Sequence, residues 1–284
     1  MKNIYMLIFL TITVQLASRP PLLSIHFLNA GHGDATLIRT PAGKTLMVDC
    51  GSRTFGQVHL PRIMHLFRIR QIDALFLSHP HDDHIGGVHA LLKNVRIKVL
   101  LEPGFACDSS VYCKLLNNCQ RNNIPIQFPT AGTSIHVEPG LTIQILSPPA
   151  GLFRYTRSDI NNNSLVLLLI YKNIRILFPG DAENVALAAL FKRYPLLRCD
   201  VIKIPHHGSR TAHLPGMYRK LQPSIAIIPC GRNSPWGIPS PLLLYSLKRE
   251  DVKIYRTDIN GTIRIDSNGY TLSVQTNKAT HFNE

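Results

Sequence analysis

The segment His79-Pro80-His81-Asp82-Asp83-His84 follows directly on the apolar run Ala74-Leu75-Phe76-Leu77 and leads into a helical stretch from Ile85. At a strand end the chain turns sharply, so His79 and His81 can point at one cation while Asp83 and His84, entering the helix, point at a neighbour. Imidazole and carboxylate donors suit borderline divalent ions such as Zn(II) or Mn(II). A two-metal cage needs further ligands from distant sequence, which requires a fold that brings several strand ends to one edge. Phe178-Pro179-Gly180-Asp181 and Ile204-Pro205-His206-His207-Gly208-Ser209 each follow a β-like run. With its two oxygens Asp181 can bridge two ions, and a histidine of the second segment can complete one site.

The rest of the chain supports such a fold. Short apolar, β-branched runs alternate with longer amphipathic stretches, with Gly, Pro or Asn at nearly every junction. The pattern predicts strands at 24–28, 34–39, 45–48, 73–77, 97–101, 141–146, 164–170, 174–178, 200–204, 224–228, 252–255 and 262–266. Helices are predicted at 59–69, 84–93, 109–122, 183–194, 214–222 and 239–249. Both halves run strands then helix, which suits two sheets packed face to face with helices outside, an α/β (α+β) domain over 21–284.

Lys and Arg number 31 against 17 Asp and Glu, a net charge of +14 spread in ones and twos, which favours anionic partners with salt-dependent affinity. Residues 1–20 carry Lys2 and then an apolar run from Ile4 to Leu16. That run is nearer the roughly 7–15 residues of a signal-peptide core than the about 20 of a membrane span, so export or a short anchor is expected, facing the extracytoplasmic side. The six cysteines form no C-x-x-C pair, which leaves a zinc ribbon unsupported; buried free thiols are the default, although two of Cys107, Cys113 and Cys119 could form a disulfide in an exported protein.

These residues resemble the metallo-β-lactamase fold, and within it the C-terminal domain of the DNA-uptake channel protein ComEC. The resemblance runs through Asn29-Ala30-Gly31-His32-Gly33-Asp34-Ala35, Val48-Asp49-Cys50-Gly51, the histidine segment, Asn161-Asn162-Asn163-Ser164-Leu165-Val166, Gly180-Asp181-Ala182-Glu183, Pro205-His206-His207-Gly208-Ser209 and Tyr255-Arg256-Thr257-Asp258 to Gly261. It implies a four-layer αββα sandwich with one or two divalent ions, Zn or Mn, at one edge of the paired sheets. His79 and His81 would serve the first ion, Asp83 and His84 the second, with Asp181 between them and His207 as the final ligand in preference to His206. Asp34, Asp49 and Asn162 would orient the ligands from behind.

Implied chemistry is phosphodiester hydrolysis, with Asp83 or Asp181 steering water and His206 or Ser209 stabilising the leaving oxygen. Lys203, Ser209, Arg210 and Arg232 are the substrate-binding candidates, and Phe153, Tyr155 and Trp236 lie where rings can stack on unpaired bases. The leading expectation is a metal-dependent nuclease acting on DNA, single-stranded, at the cell surface, with a membrane channel as possible partner and no nucleotide cofactor. Two departures from the family bear on this. Asp159 and Asn161 to Asn163 stand where most members supply another histidine, which leaves the first site short of a ligand. The family's Gly-His-Pro segment is Gly237-Ile238-Pro239. Alternatives are another hydrolase on the same scaffold, such as a phosphorylcholine esterase, or an impaired DNA-binding module of a transport machine.

Overall fold

The run Thr45–Cys50 is buried at every position, as a strand covered on both faces must be, and its side chains divide between two layers of core. Met47 joins Leu37, Leu75 and Leu100 under a layer of helices. Leu46 and Val48 face the other way, with Ile25, Phe27, Ile38 and Phe76, against Ile143, Leu167, Leu169, Ile176, Phe178 and Ile227 of a second sheet. Leu168, Leu177, Ile202 and Ala226 of that sheet point outward onto a second helical layer. The computed structural model, which describes residues 21–277, is therefore the four-layer αββα sandwich; the expected leader at 1–20 lies outside the described residues.

The first sheet has eight strands in the order Leu272–Asn277, Thr262–Ser267, Leu23–Phe27, Ala35–Arg39, Thr45–Cys50, Ala74–Phe76, Leu100–Leu101 and Ile126–Gln127. The second has seven: Lys253–Arg256, Ile225–Ile228, Val201–Lys203, Ile174–Phe178, Val166–Tyr171, Leu141–Ser147 and Ser134–Glu138. Thr45–Cys50 is parallel to Ala74–Phe76, and Ile174–Phe178, Val201–Lys203 and Ile225–Ile228 are parallel to one another. Carboxyl ends of parallel strands are where an open α/β sheet places its ligands. The two sheets meet at these ends, where the Leu165 amide donates to the Ser78 carbonyl at 2.7 Å.

Several elements depart from their expected bounds. The helix expected at 84–93 is two, Asp82–Ile85 and Val88–Asn94, parted at Gly86 and Gly87. A Cβ on Gly87 would lie 2.1 Å from the Cys50 carbonyl oxygen, so this close approach admits only glycine. The expected helix 59–69 is preceded by another, Arg53–Val58, and itself spans Leu60–Leu66. The 97–101 run splits between a short ladder at Arg96–Ile97 and the main sheet at Leu100–Leu101. Ser134–Glu138 and Leu272–Asn277 are edge strands with exposed polar positions, which weakens the apolar alternation that would announce them. All six cysteines are free thiols, so the Cys107–Cys119 region holds no disulfide.

Candidate metal centre

The site is built outward from Asp49, at the end of strand Thr45–Cys50. Its φ of 56° is left-handed, an unfavourable conformation for a residue with a Cβ, and one kept where the surroundings fix it. The carboxylate accepts from the Ser78 amide at 2.7 Å, the Ser78 hydroxyl at 2.8 Å and His84 Nδ1 at 2.9 Å. Ser78 Oγ also lies 3.0 Å from His79 Nδ1. Engaging Nδ1 fixes ring orientation and leaves Nε2 as the free donor atom, the arrangement that metal-ligating histidines use.

Asp181 occupies the centre. Its Oδ2 is 3.3 Å from His84 Nε2, 3.5 Å from His207 Nε2, 3.9 Å from His79 Nε2 and 3.9 Å from His206 Nε2. The Ser164 hydroxyl fixes the loop by accepting from the Asp181 amide at 3.0 Å. His207 is brought inward by two successive left-handed residues, His206 at φ 48° and His207 at φ 53°. Its Nδ1 donates to the Pro229 carbonyl at 3.1 Å, and its Nε2 faces Asp83 Oδ2 at 3.2 Å. His79 Nε2 and His81 Nδ1 lie 3.0 Å apart.

Charge and burial oppose each other here. Burial works against ionising Asp83 and Asp181, yet the imidazoles of His84 and His207 hold both carboxyls far below the usual range. Burial likewise disfavours a charged His84, but Asp181, Asp83 and Asp49 raise its affinity for a proton well above normal; His207 is raised by Asp181 and Asp34. His79, buried and beside His84, is pushed down and stays neutral.

The donor set fits a divalent cation. His84 Nε2 is buried and makes no hydrogen bond, which is costly unless a cation meets it, while Asp181 Oδ1, also without a hydrogen bond, has the Lys203 ammonium 3.7 Å away. Ligand atoms of Asp34, His84, Asp181 and His207 lie within 4.8 Å of one another. Asp34, however, faces the Nδ1 side of the rings, 3.8 Å from His84 Nδ1 and 3.6 Å from His207 Nδ1, and is in contact with the Lys203 ammonium. It thus stands behind the imidazoles, and Asp83 and Asp181 are the carboxylates on their Nε2 side. His84, His207, Asp83 and Asp181 could together hold a divalent ion, and His79 and His81 lie beside them.

Two assignments made from sequence are corrected. Lys203 is not on the substrate surface: it is 3% exposed, lies against Asp34, and donates to the Gly180 carbonyl at 3.1 Å. Burial disfavours its charge, but Asp34 and Asp181 outweigh that and keep it protonated. Asn162 touches no imidazole. Its Oδ1 accepts from the Glu183 and Ala186 amides and so caps helix Asn184–Arg193, while Asn163 is tied to the Phe153 backbone.

The remaining candidates lie at the rim. His206 is half-buried, with Nδ1 3.3 Å from Glu183 Oε1. Ser209 is partly exposed and accepts from the Thr211 amide, Arg210 is exposed, and Arg232 donates to the Asp258 carbonyl. Tyr155 and Trp236 are exposed, the latter edge-on to His32 with ring centroids 5.1 Å apart, whereas Phe153 packs on the core. The loop carrying Ile238 is pinned to the histidine turn by the Ser240 amide, which donates to the Gly208 carbonyl at 2.9 Å. Ser78 and Glu183 went unnoticed as functional residues, although each adjoins a ligand segment.

An αββα sandwich with a buried His/Asp centre at the carboxyl ends of its strands defines a metal-dependent hydrolase scaffold. The chain belongs to the metallo-beta-lactamase superfamily, whose sequence pattern matches residues 28–228. It is 28% identical over 257 residues to ComE operon protein 3 of Bacillus subtilis (strain 168), covering 84% of this chain and 32% of that one. It is 31% identical over 252 residues to Recombination protein 2 of Haemophilus influenzae, covering 87% of this chain and 29% of that one. The chain thus spans about a third of the length of these relatives. Among solved structures it is similar to Igni18, a metallo hydrolase from Ignicoccus hospitalis, with a TM-score of 0.55 and 14% identity over 85% of this chain and 98% of that one. No helix among the described residues is long and apolar enough to cross a membrane.

Proposed function

We propose that the protein is a metal-dependent phosphodiesterase that hydrolyses DNA, single-stranded by preference, outside the cytoplasm in a DNA-uptake role. The observation that carries this reading is Asp181 Oδ2 set 3.3–3.9 Å from the imidazoles of His84, His207, His79 and His206. The net charge of +14 favours a polyanionic substrate, and similarity to Recombination protein 2 of Haemophilus influenzae favours DNA. Partnership with a membrane channel extends that similarity.

Zn(II) or Mn(II), when bound, supplies Lewis acidity toward a phosphoryl oxygen and lowers the pKa of water from 15.7 to about 7. Asp83, whose side chain is 40% exposed, is the carboxylate of the cluster that meets solvent, which suits it to orient water. His206 stands at the mouth with Glu183 on Nδ1, poised to give a proton to the leaving oxygen from Nε2. Arg210 and Arg232 at the rim supply positive charge to the strand.

The test is cleavage of end-labelled single-stranded DNA by the purified chain, titrated with Mn(II) and Zn(II), beside Asp181→Asn. Cleavage that the variant loses supports the reading. Absence of cleavage by a folded, metal-loaded protein overturns it. Ile238, standing beside the histidine turn where family members carry an imidazole, favours a second reading in that event: a module that binds DNA without cutting it.

A further inference from the structure

The helical layer over the first sheet bears an open pocket of about 450 Å³, and no carboxylate lines it. Arg53 opens helix Arg53–Val58, His89 and Lys93 come from Val88–Asn94, and Lys114, Asn118 and Arg121 come from Ser110–Arg121. Spacings of three, four and seven residues put each helix's contributors on one face. The four cations are exposed, and the ion pairs among the described residues lie elsewhere. His89 reports the local field: burial, then Arg53, Lys114 and Lys93, push its proton affinity down, with Asp82 the carboxylate that opposes them. The Asn118 amide holds its ring through Nδ1 at 2.7 Å.

We infer that this pocket binds the phosphate backbone of a nucleic-acid strand at a second place, away from the metal centre; the strand's identity rests on the nuclease reading above. Lys114 and Arg121 are two helical turns apart, about 10 Å along the axis, a spread of charge that suits a chain charged at every nucleotide. Arginine forks on two of the helices, Arg53 and Arg121, suit phosphate oxygens. The pocket also adjoins the centre through the backbone, since Gly86 in its lining is two residues past His84. A strand held there is anchored on Val88–Asn94, the helix that follows the ligand-bearing helix Asp82–Ile85 in the chain.

The experiment measures binding of a fluorescein-labelled single-stranded 20-mer to the full chain in chelator, so that no cleavage intervenes. Lys93→Glu with Lys114→Glu is compared with Lys192→Glu plus Lys248→Glu, an equal charge change on the opposite helical layer. The pocket variant should bind at least about tenfold more weakly, with a salt slope shallower by about 1.4, or about 0.7 for each lost phosphate contact. The control should stay within about twofold. Equal weakening in both variants, no weakening in either, or equal loss of polyglutamate binding overturns the site. Hydrolysis of bis(p-nitrophenyl) phosphate, too small to span the pocket, separates the two claims. Strand binding through the pocket without phosphoester hydrolysis leaves the site and removes the nuclease; hydrolysis with pocket-independent strand binding does the reverse.

Discussion

Asp49 Oδ2 accepts from His84 Nδ1 at 2.9 Å, and His84 Nε2 on the far side of the ring lies 3.3 Å from Asp181 Oδ2. The ring is thereby clamped between a supporting carboxylate and a central one, its tautomer set by the first and its donor atom presented beside the second. Replacing Asp49 with Asn removes the charge behind the ring while keeping its size. Affinity for Zn(II) or Mn(II), measured by competition with a chromogenic chelator, should fall about 10- to 100-fold. Unchanged affinity would show that Asp49 serves the turn alone.

Lys203 holds Asp34 and Asp181 together in a buried cluster, so its loss leaves carboxylates without a countercharge. Lys203→Met should destabilise the metal-free protein by about 3–5 kcal/mol in urea unfolding. A substrate-binding lysine would behave oppositely, with stability preserved and KM raised.

His26 gives stability its own pH dependence, remote from the metal ligands. It is packed edge-on against Phe67, and burial first, then Arg264 and Arg39 against the counter-pull of Asp266, lower its pKa from 6.5 to about 4. Between those values the unfolded chain takes up a proton that the folded one refuses, so stability is full above about 6.5 and is lost as pH falls toward 4. The loss attributable to His26 is about 3 kcal/mol at most. The stability difference between wild type and His26→Gln, followed by urea unfolding from pH 7.5 to 4.5, should shrink on acidification. A constant difference would refute this account.

Much of this was legible in the chain. Periodicity locates the interior strands because Leu167, Leu169 and Ile176 face one core while Leu168 and Leu177 face another, which produces unbroken apolar runs. The edge strands Ser134–Glu138 and Leu272–Asn277 were silent because half or more of their side chains meet water. Histidine and aspartate clusters at strand ends announced the centre, since few structures need three imidazoles in six residues. What could not be read is depth: Lys203 and Arg210 are both cations near the same turn, and only packing separates a buried countercharge from an exposed one. Asn162 was misplaced for a similar reason, because an amide capping a helix and one supporting a ligand look alike in sequence.

Ile238 bears on how fast the centre can work. Its loop lies against the histidine turn through Ser240 and Gly208. Ile238→His places an imidazole there and should raise metal-dependent cleavage about a hundredfold or more. An unchanged rate would show that His206 alone suffices as donor.

The most direct test is calorimetric titration of the chelated protein with Mn(II) and Zn(II), beside Asp181→Asn. The account predicts a tight site in the wild type, a weaker second one, and at least about 100-fold loss at both in the variant, because Asp181 faces both sets of imidazoles. A wild-type protein that takes up no divalent ion, or a variant that binds as the wild type does, would contradict it.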